Sequence, residues 1–203
     1  MNRCFVFGAL NVKTLPEKPD ENDFIIAADK GTSVLEELCI KPNLTVGDFD
    51  SLGFVPKGEN VIRLNVRKDD TDVSYAVKTA LEKGYKSFVF YGCLGGNLSH
   101  TLANLQIAKA LSEKGCSVVL YGENEIITVI SNTSVSFKGE KSGRISVLSL
   151  SDESTGVTIE NLSYTLQNAT LNSNTPLGVS NEFVGCESRI SVEKGCLAII
   201  EEK

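Results

Sequence analysis

Near Gly122 the hydrophobic period of the chain changes, and one kind of layer cannot accommodate both parts. Before it, short apolar runs at Cys4–Phe7, Phe24–Ala28, 44–46, 61–64, Ser87–Tyr91 and 116–121 read as strands. Between them lie helical stretches. Val34, Leu35 and Leu38 follow Gly31; Val73, Ala76, Val77, Ala80 and Leu81 form an i, i+3, i+4, i+7, i+8 stripe that Gly84 stops. A further helix is expected over 98–111, apolar through Leu102, Leu105, Ala108 and Leu111. Strands alternating with helices imply parallel pairing. After Gly122 only short β-like runs remain, at 125–130, Ser134–Phe137, 144–150, 157–159, 165–171, 189–192 and 197–200. The chain therefore reads as an α/β domain over 1–122, with a parallel, Rossmann-like sheet, followed by an all-β sandwich or barrel over 123–203.

Composition narrows the function. A net charge of -6 argues against a broad nucleic-acid surface, which shows a basic excess. The apolar run at the N-terminus is too short for a signal peptide, and nothing approaches the length of a membrane span. A cytoplasmic protein without membrane or nucleic-acid partners is expected. None of the six cysteines forms a C-x-x-C pair and there is one histidine, so reduced, buried thiols are expected rather than zinc.

The polar clusters fall where strands end, the rim at which open α/β sheets bind ligands. Asp29, Asp48, Asp50 and the 92–96 loop should gather there. In Gly47-Asp48-Phe49-Asp50-Ser51, two carboxylates follow a buried strand. That is one way to hold a hard cation such as magnesium, and equally the composition of a hydrogen-bonded turn. Lys68-Asp69-Asp70-Thr71-Asp72 precedes a clean helix. Asp70 or Thr71 can cap that helix. A lysine beside clustered carboxylates also suits a polyphosphate, since both cations offset its charge. Gly92-Cys93-Leu94-Gly95-Gly96 before a helix lets an anion approach backbone N–H groups. As a plain turn it would place Ser99 at the helix cap, beside His100. Neither Gly-x-x-x-x-Gly-Lys nor Gly-x-Gly-x-x-Gly occurs. Residues 176–183 read on their own as a Pro/Gly/Asn loop.

Taken in order, these segments resemble the thiamine pyrophosphokinase family: Ala28-Asp29-Lys30-Gly31, Pro42 through Ser51, Lys68 through Asp72, Gly95 through His100, and Gly178 through Glu182. The family's Arg and Asp in the glycine loop are Asn97 and Ser99 here, and its Asp after Pro42 is Asn43. The resemblance implies transfer of the pyrophosphoryl group of ATP to the thiamine hydroxyl, releasing AMP, in a homodimer. It implies Asp48, Asp50 and Asp72 as the catalytic, magnesium-holding set. It implies Lys68, Asp69, Thr71, Gly95 and Gly96 at ATP, and Ser180, Asn181, Ser99 and His100 at thiamine. Two other readings stay open: an aspartate-dependent magnesium phosphatase with Asp48 attacking, and a sensor that binds thiamine diphosphate or a nucleotide without turnover.

Overall fold

The computed structural model describes residues 2–50, 53, 55–56, 60–65 and 71–202. The chain forms two compact units. One comprises Met1–Ile107 and Leu120–Glu123, the other Ala108–Val119 and Asn124–Lys203.

In the first unit, β1 (Cys4–Phe7), β2 (Phe24–Ala28), β3 (Leu44–Gly47), β4 (Val61–Arg63) and β5 (Ser87–Tyr91) pair in parallel in the order β5-β1-β2-β3-β4. Every residue of β1 is fully buried. Such a strand is covered on both faces, which is why the parallel strands read as unbroken apolar runs instead of alternating ones. Phe5, Phe7, Ile25, Ala27, Val89 and Tyr91 pack with Val34 and Leu35 of α1 (Gly31–Glu37). A Cβ on Gly31 would lie 2.0 Å from the Phe7 carbonyl oxygen, so this helix starts directly on the end of β1. The second helix, α2 (Asp72–Glu82), packs against β1, β2 and β3 through Ala76, Val77 and Ala80. Of the two caps the sequence allows, Thr71 fills the role, its hydroxyl accepting the Ser74 N–H at 3.1 Å.

The third helix, α3 (Leu98–Glu113), is as long as its apolar content predicts, but its buried side differs from the expected stripe. Leu102 is 53% exposed, while Asn104, Ala108, Leu111 and Ser112 are buried. The chain passes between units inside α3 and again inside β6 (Ser117–Tyr121).

The second unit holds β7 (Glu125–Ser131), β8 (Ser134–Phe137), β9 (Arg144–Ser149), β10 (Glu153–Glu160), β11 (Leu166–Asn172), β12 (Gly178–Glu182), β13 (Ser188–Ser191) and β14 (Cys196–Glu202). They pair antiparallel in the orders β12-β9-β14-β7 and β11-β10-β13-β8. One apolar cluster draws Ile145, Val147, Leu197 and Ile199 from the first set and Val157, Ile159, Leu171 and Ile190 from the second. The segment expected as a loop at 176–183 contains β12. Its residues have poor strand propensity, and it forms by pairing with β9 across a bulge between Gly178 and Asn181. All six cysteines are free, but Cys39 and Cys186 are exposed rather than buried. Among the described residues, no helix is long and apolar enough to cross a membrane.

The 8–23 connection between β1 and β2 is tied down at both ends of the sheet. The Tyr91 hydroxyl donates to the Glu17 carbonyl at 2.8 Å and accepts the Glu17 N–H at 3.1 Å. Asp23, 7% exposed, accepts from the Arg3 guanidinium through both carboxylate oxygens and from the Arg3 and Asp20 backbone N–H groups. Burial by itself would raise the Asp23 pKa; the Arg3 side chain, the two amides and the Arg3 charge outweigh it and hold the carboxyl below its ordinary 3.8. A depressed carboxyl stabilises the fold fully above the unfolded value, and that stability is lost as pH falls through the folded value. Asp23→Asn should therefore cost about 2 kcal/mol at pH 7. The gap to the parent chain should close below about pH 4 when denaturant unfolding is followed against pH. A gap that is constant with pH would show that the Asp23 charge contributes nothing.

Candidate active site

The parallel strand order sets where a site can form. From β1 the chain steps outward through β2, β3 and β4, then returns to the other side of β1 as β5. Between β1 and β5 the direction of winding reverses, which leaves a crevice beyond their carboxyl ends. A cleft of about 560 Å³ lies there, floored by Gly8 after β1, Asp29 after β2 and Gly92 after β5. Thr71 and Asp72 line it, as do Cys93, Gly95, Asn97, Ser99, His100 and Asn104.

Three carboxylates converge. Asp29, Asp48 and Asp72 each offer an oxygen, and these oxygens lie within 4.8 Å of one another, all three side chains half-buried. Each comes from a different element. Asp29 follows β2 with φ 49, a left-handed conformation that aspartate tolerates better than most residues. Asp48 follows β3, and a Cβ on the preceding Gly47 would sit 3.0 Å from the Asp29 Cα; glycine allows the two turns to approach. Asp72 opens α2, where a carboxylate suits the helix dipole. Three hard oxygen donors at this spacing match the chemistry of a divalent cation such as magnesium.

The site residues expected from sequence divide accordingly. Asp48 and Asp72 are brought together, with Asp29 as the third member. Asp50 is exposed and outside that group; its backbone N–H donates to Asp48 Oδ1 at 3.2 Å, an Asx turn that steadies Asp48. Lys68 and Asp69 lie outside the described residues. Thr71 lines the cleft while capping α2. Gly95, Ser99 and His100 line it as well, and Gly96, with φ 61, lies against Leu10. The cap of α3 is Asn97, not Ser99: Asn97 Oδ1 accepts from the Ser99 N–H at 3.1 Å and from its hydroxyl at 2.9 Å. Ser180 and Asn181 sit on β12. Ser180 is exposed with φ 61, and its N–H donates to the Ser146 hydroxyl at 3.0 Å. Asn181 is buried, its amide bridging the Tyr164 N–H (2.9 Å) and carbonyl (2.6 Å).

Sequence reasoning missed Gly8, Ala9, Leu10 and Asn104. The pointer to the first group was a glycine directly after β1, matched by Gly92 directly after β5. Asn104 had a fainter one, an amide on the side of α3 that also carries Ala108 and Leu111.

A switch-point cleft with gathered carboxylates and a glycine loop at a helix start places the chain among α/β enzymes that handle a polyphosphate. More narrowly, the chain belongs to the thiamin pyrophosphokinase family. The family model described as "Thiamin pyrophosphokinase, catalytic domain" matches residues 16–120. That of the "vitamin B1 binding domain" matches 132–197. The thiamine pyrophosphokinase of Bacillus subtilis is 27% identical over 188 residues, covering 89% of this chain and 88% of the relative. Among solved structures, a thiamine pyrophosphokinase from Bacillus subtilis is similar with TM-score 0.86 at 24% identity, covering 100% of this chain and 99% of its own. A family protein from Enterococcus faecalis is similar at TM-score 0.82 and 24% identity, with the same coverage. Family membership favours neither the phosphatase nor the sensor reading.

The trio makes a direct prediction. Asp29→Asn keeps a residue that tolerates positive φ while removing a charge. It should weaken magnesium or manganese binding at least tenfold by titration calorimetry, as should Asp48→Asn and Asp72→Asn, whereas Asp50→Asn should change it less. Equal losses at Asp50 and Asp29 would show that the cation is held elsewhere along the two turns.

Proposed function

We propose that the protein is an ATP-dependent thiamine diphosphokinase whose cleft holds ATP against the Asp29, Asp48 and Asp72 carboxylates. The observation that carries this reading is that Asp29 and Asp72 line the same cleft as the glycine loop and converge with Asp48, within the segment that matches the family's catalytic domain. In the reaction, the thiamine hydroxyl oxygen forms a bond to the β-phosphorus of ATP, the bond from that phosphorus to the α,β-bridging oxygen breaks, and AMP leaves with the oxygen. The hydroxyl proton is lost as the new ester forms. Such transfers depend on alignment and charge neutralisation more than on covalent help from the protein. Magnesium, held by the three carboxylates directly or through waters, would supply that neutralisation on the phosphate oxygens. Lys68 would add a second positive charge, with Asp69 beside it. Asp72 and Thr71 tie this chemistry to the start of α2, while Gly95 and Gly96 let the phosphates approach backbone.

Residues 1–122 are read as the Rossmann-like catalytic domain and 123–203 as a β-sandwich that contributes to the thiamine site. The apolar cluster shared by the two antiparallel strand sets supports the sandwich reading. Ser180 is the exposed candidate for thiamine contact, together with Ser99 and His100. Asn181 supports this site by fixing Tyr164. A cytoplasmic homodimer completes the proposal.

The test is turnover. Purified protein with ATP, magnesium and thiamine should yield AMP and thiamine diphosphate in equal amounts. Release of ADP, or of phosphate without thiamine diphosphate, would overturn the assignment. Ser180→Ala should raise the thiamine KM about 2–10-fold and leave the ATP KM unchanged.

A further inference from the structure

We propose that Thr101 and Asn104 of α3 are positioning residues for the glycine loop, setting the backbone on which the nucleotide phosphates rest. The proposal builds on the reading of the cleft as the ATP site. Gly92, Gly95 and Gly96 have φ of 64°, 92° and 61°. Each is a residue with maximal freedom in the unfolded chain and no side chain of its own to anchor. Between β5 and α3 the loop belongs to no strand or helix, so its backbone groups need partners from elsewhere.

The helix that follows supplies them. Asn104 Nδ2 donates to the Cys93 carbonyl at 2.7 Å. The Thr101 hydroxyl accepts the Gly95 N–H at 3.1 Å and donates to the Gly95 carbonyl at 3.0 Å. Thr101 and Asn104 are three residues apart and share a helix face. Asn104 is 7% exposed, on the side of the helix that buries Ala108 and Leu111. An amide in that setting is costly unless it is hydrogen-bonded. What it returns is direction: the first two turns of α3 act as a template for a loop that cannot shape itself. Gly95 lines the cleft and Thr101 does not, so a change at Thr101 reaches the nucleotide only through the loop.

Thr101→Val keeps the shape and removes both bonds; Thr101→Ser keeps the hydroxyl. Asn104→Leu keeps bulk on a buried helix face and removes the donor. Steady-state kinetics and amide hydrogen exchange read the outcome. Thr101→Val should raise the ATP KM about 3–10-fold, with thiamine KM, kcat and exchange in β5 unchanged. The Gly95 amide should exchange at least tenfold faster, Thr101→Ser should restore both readouts, and Asn104→Leu should raise the ATP KM likewise. Unchanged Gly95 exchange and ATP KM in Thr101→Val would overturn the proposal. So would equal rises in both KM values together with faster exchange in β5, which would mark a general loosening. Absence of thiamine diphosphate formation by the parent chain would reject the enzymatic reading instead, and the exchange arm would still decide the clamp.

Discussion

Where β1 and β5 end, backbone touches backbone. A Cβ on Gly8 would sit 2.6 Å from the Gly92 carbonyl oxygen, and one on Gly92 would sit 2.5 Å from that of Leu10. No side chain fits either place, and Gly92 also has positive φ. This closeness lets the Gly8 N–H reach the Tyr91 carbonyl at 2.8 Å and the Leu10 N–H reach the Gly92 carbonyl at 3.1 Å. The 8–23 connection is thereby led over the sheet end, Leu10 comes to rest against Gly96, and the crevice between the two strands acquires a floor of main chain. Where Gly8 and Gly92 form it, that floor carries no side chain, which leaves space for a bulky anion and puts peptide dipoles next to it.

The first unit was largely legible because both of its periods are strong. The buried parallel strands stand out as apolar runs, and α2 announces itself by a stripe and a capping threonine. Legibility failed where tertiary pairing overrides local preference. β12 carries Gly178, Ser180 and Asn181, none of them strand formers, and exists because β9 offers an edge. α3 misled in the opposite sense: Leu102 fits the helical stripe yet faces outward, while Asn104 turns inward because a carbonyl awaits it. The acidic cluster was half legible. Asp48 and Asp72 follow from motif order, but the choice between Asp29 and Asp50 depends on which turn Gly47 allows to draw near, and that is a three-dimensional fact.

The substituted loop acquires a local explanation. Asn97, standing where the family pattern has Arg, caps α3 by accepting from the N–H and the hydroxyl of Ser99, which stands where the pattern has Asp. Asparagine is among the best residues for that position. Asn43, the third departure, holds the end of β2 by accepting the Ile25 N–H at 2.7 Å, while its own N–H donates to the Ile25 carbonyl. At each of these positions a charged side chain of the family pattern is replaced by one held in a local hydrogen bond, to backbone at Asn43 and Asn97 and to the Asn97 amide oxygen at Ser99.

Tyr91 gives the chain an optical signature. It is fully enclosed, stacks on Tyr121 with ring centroids 4.9 Å apart, and has its hydroxyl bound to the Glu17 peptide at both ends. Burial, chiefly, pushes its pKa up to about 12. The protein contains no tryptophan and five tyrosines, so its ultraviolet emission is dominated by phenols. In alkali, where ordinary phenols ionise near 10, this ring ionises later than an exposed phenol, because the packing and the Glu17 contacts that enclose it disfavour the phenolate.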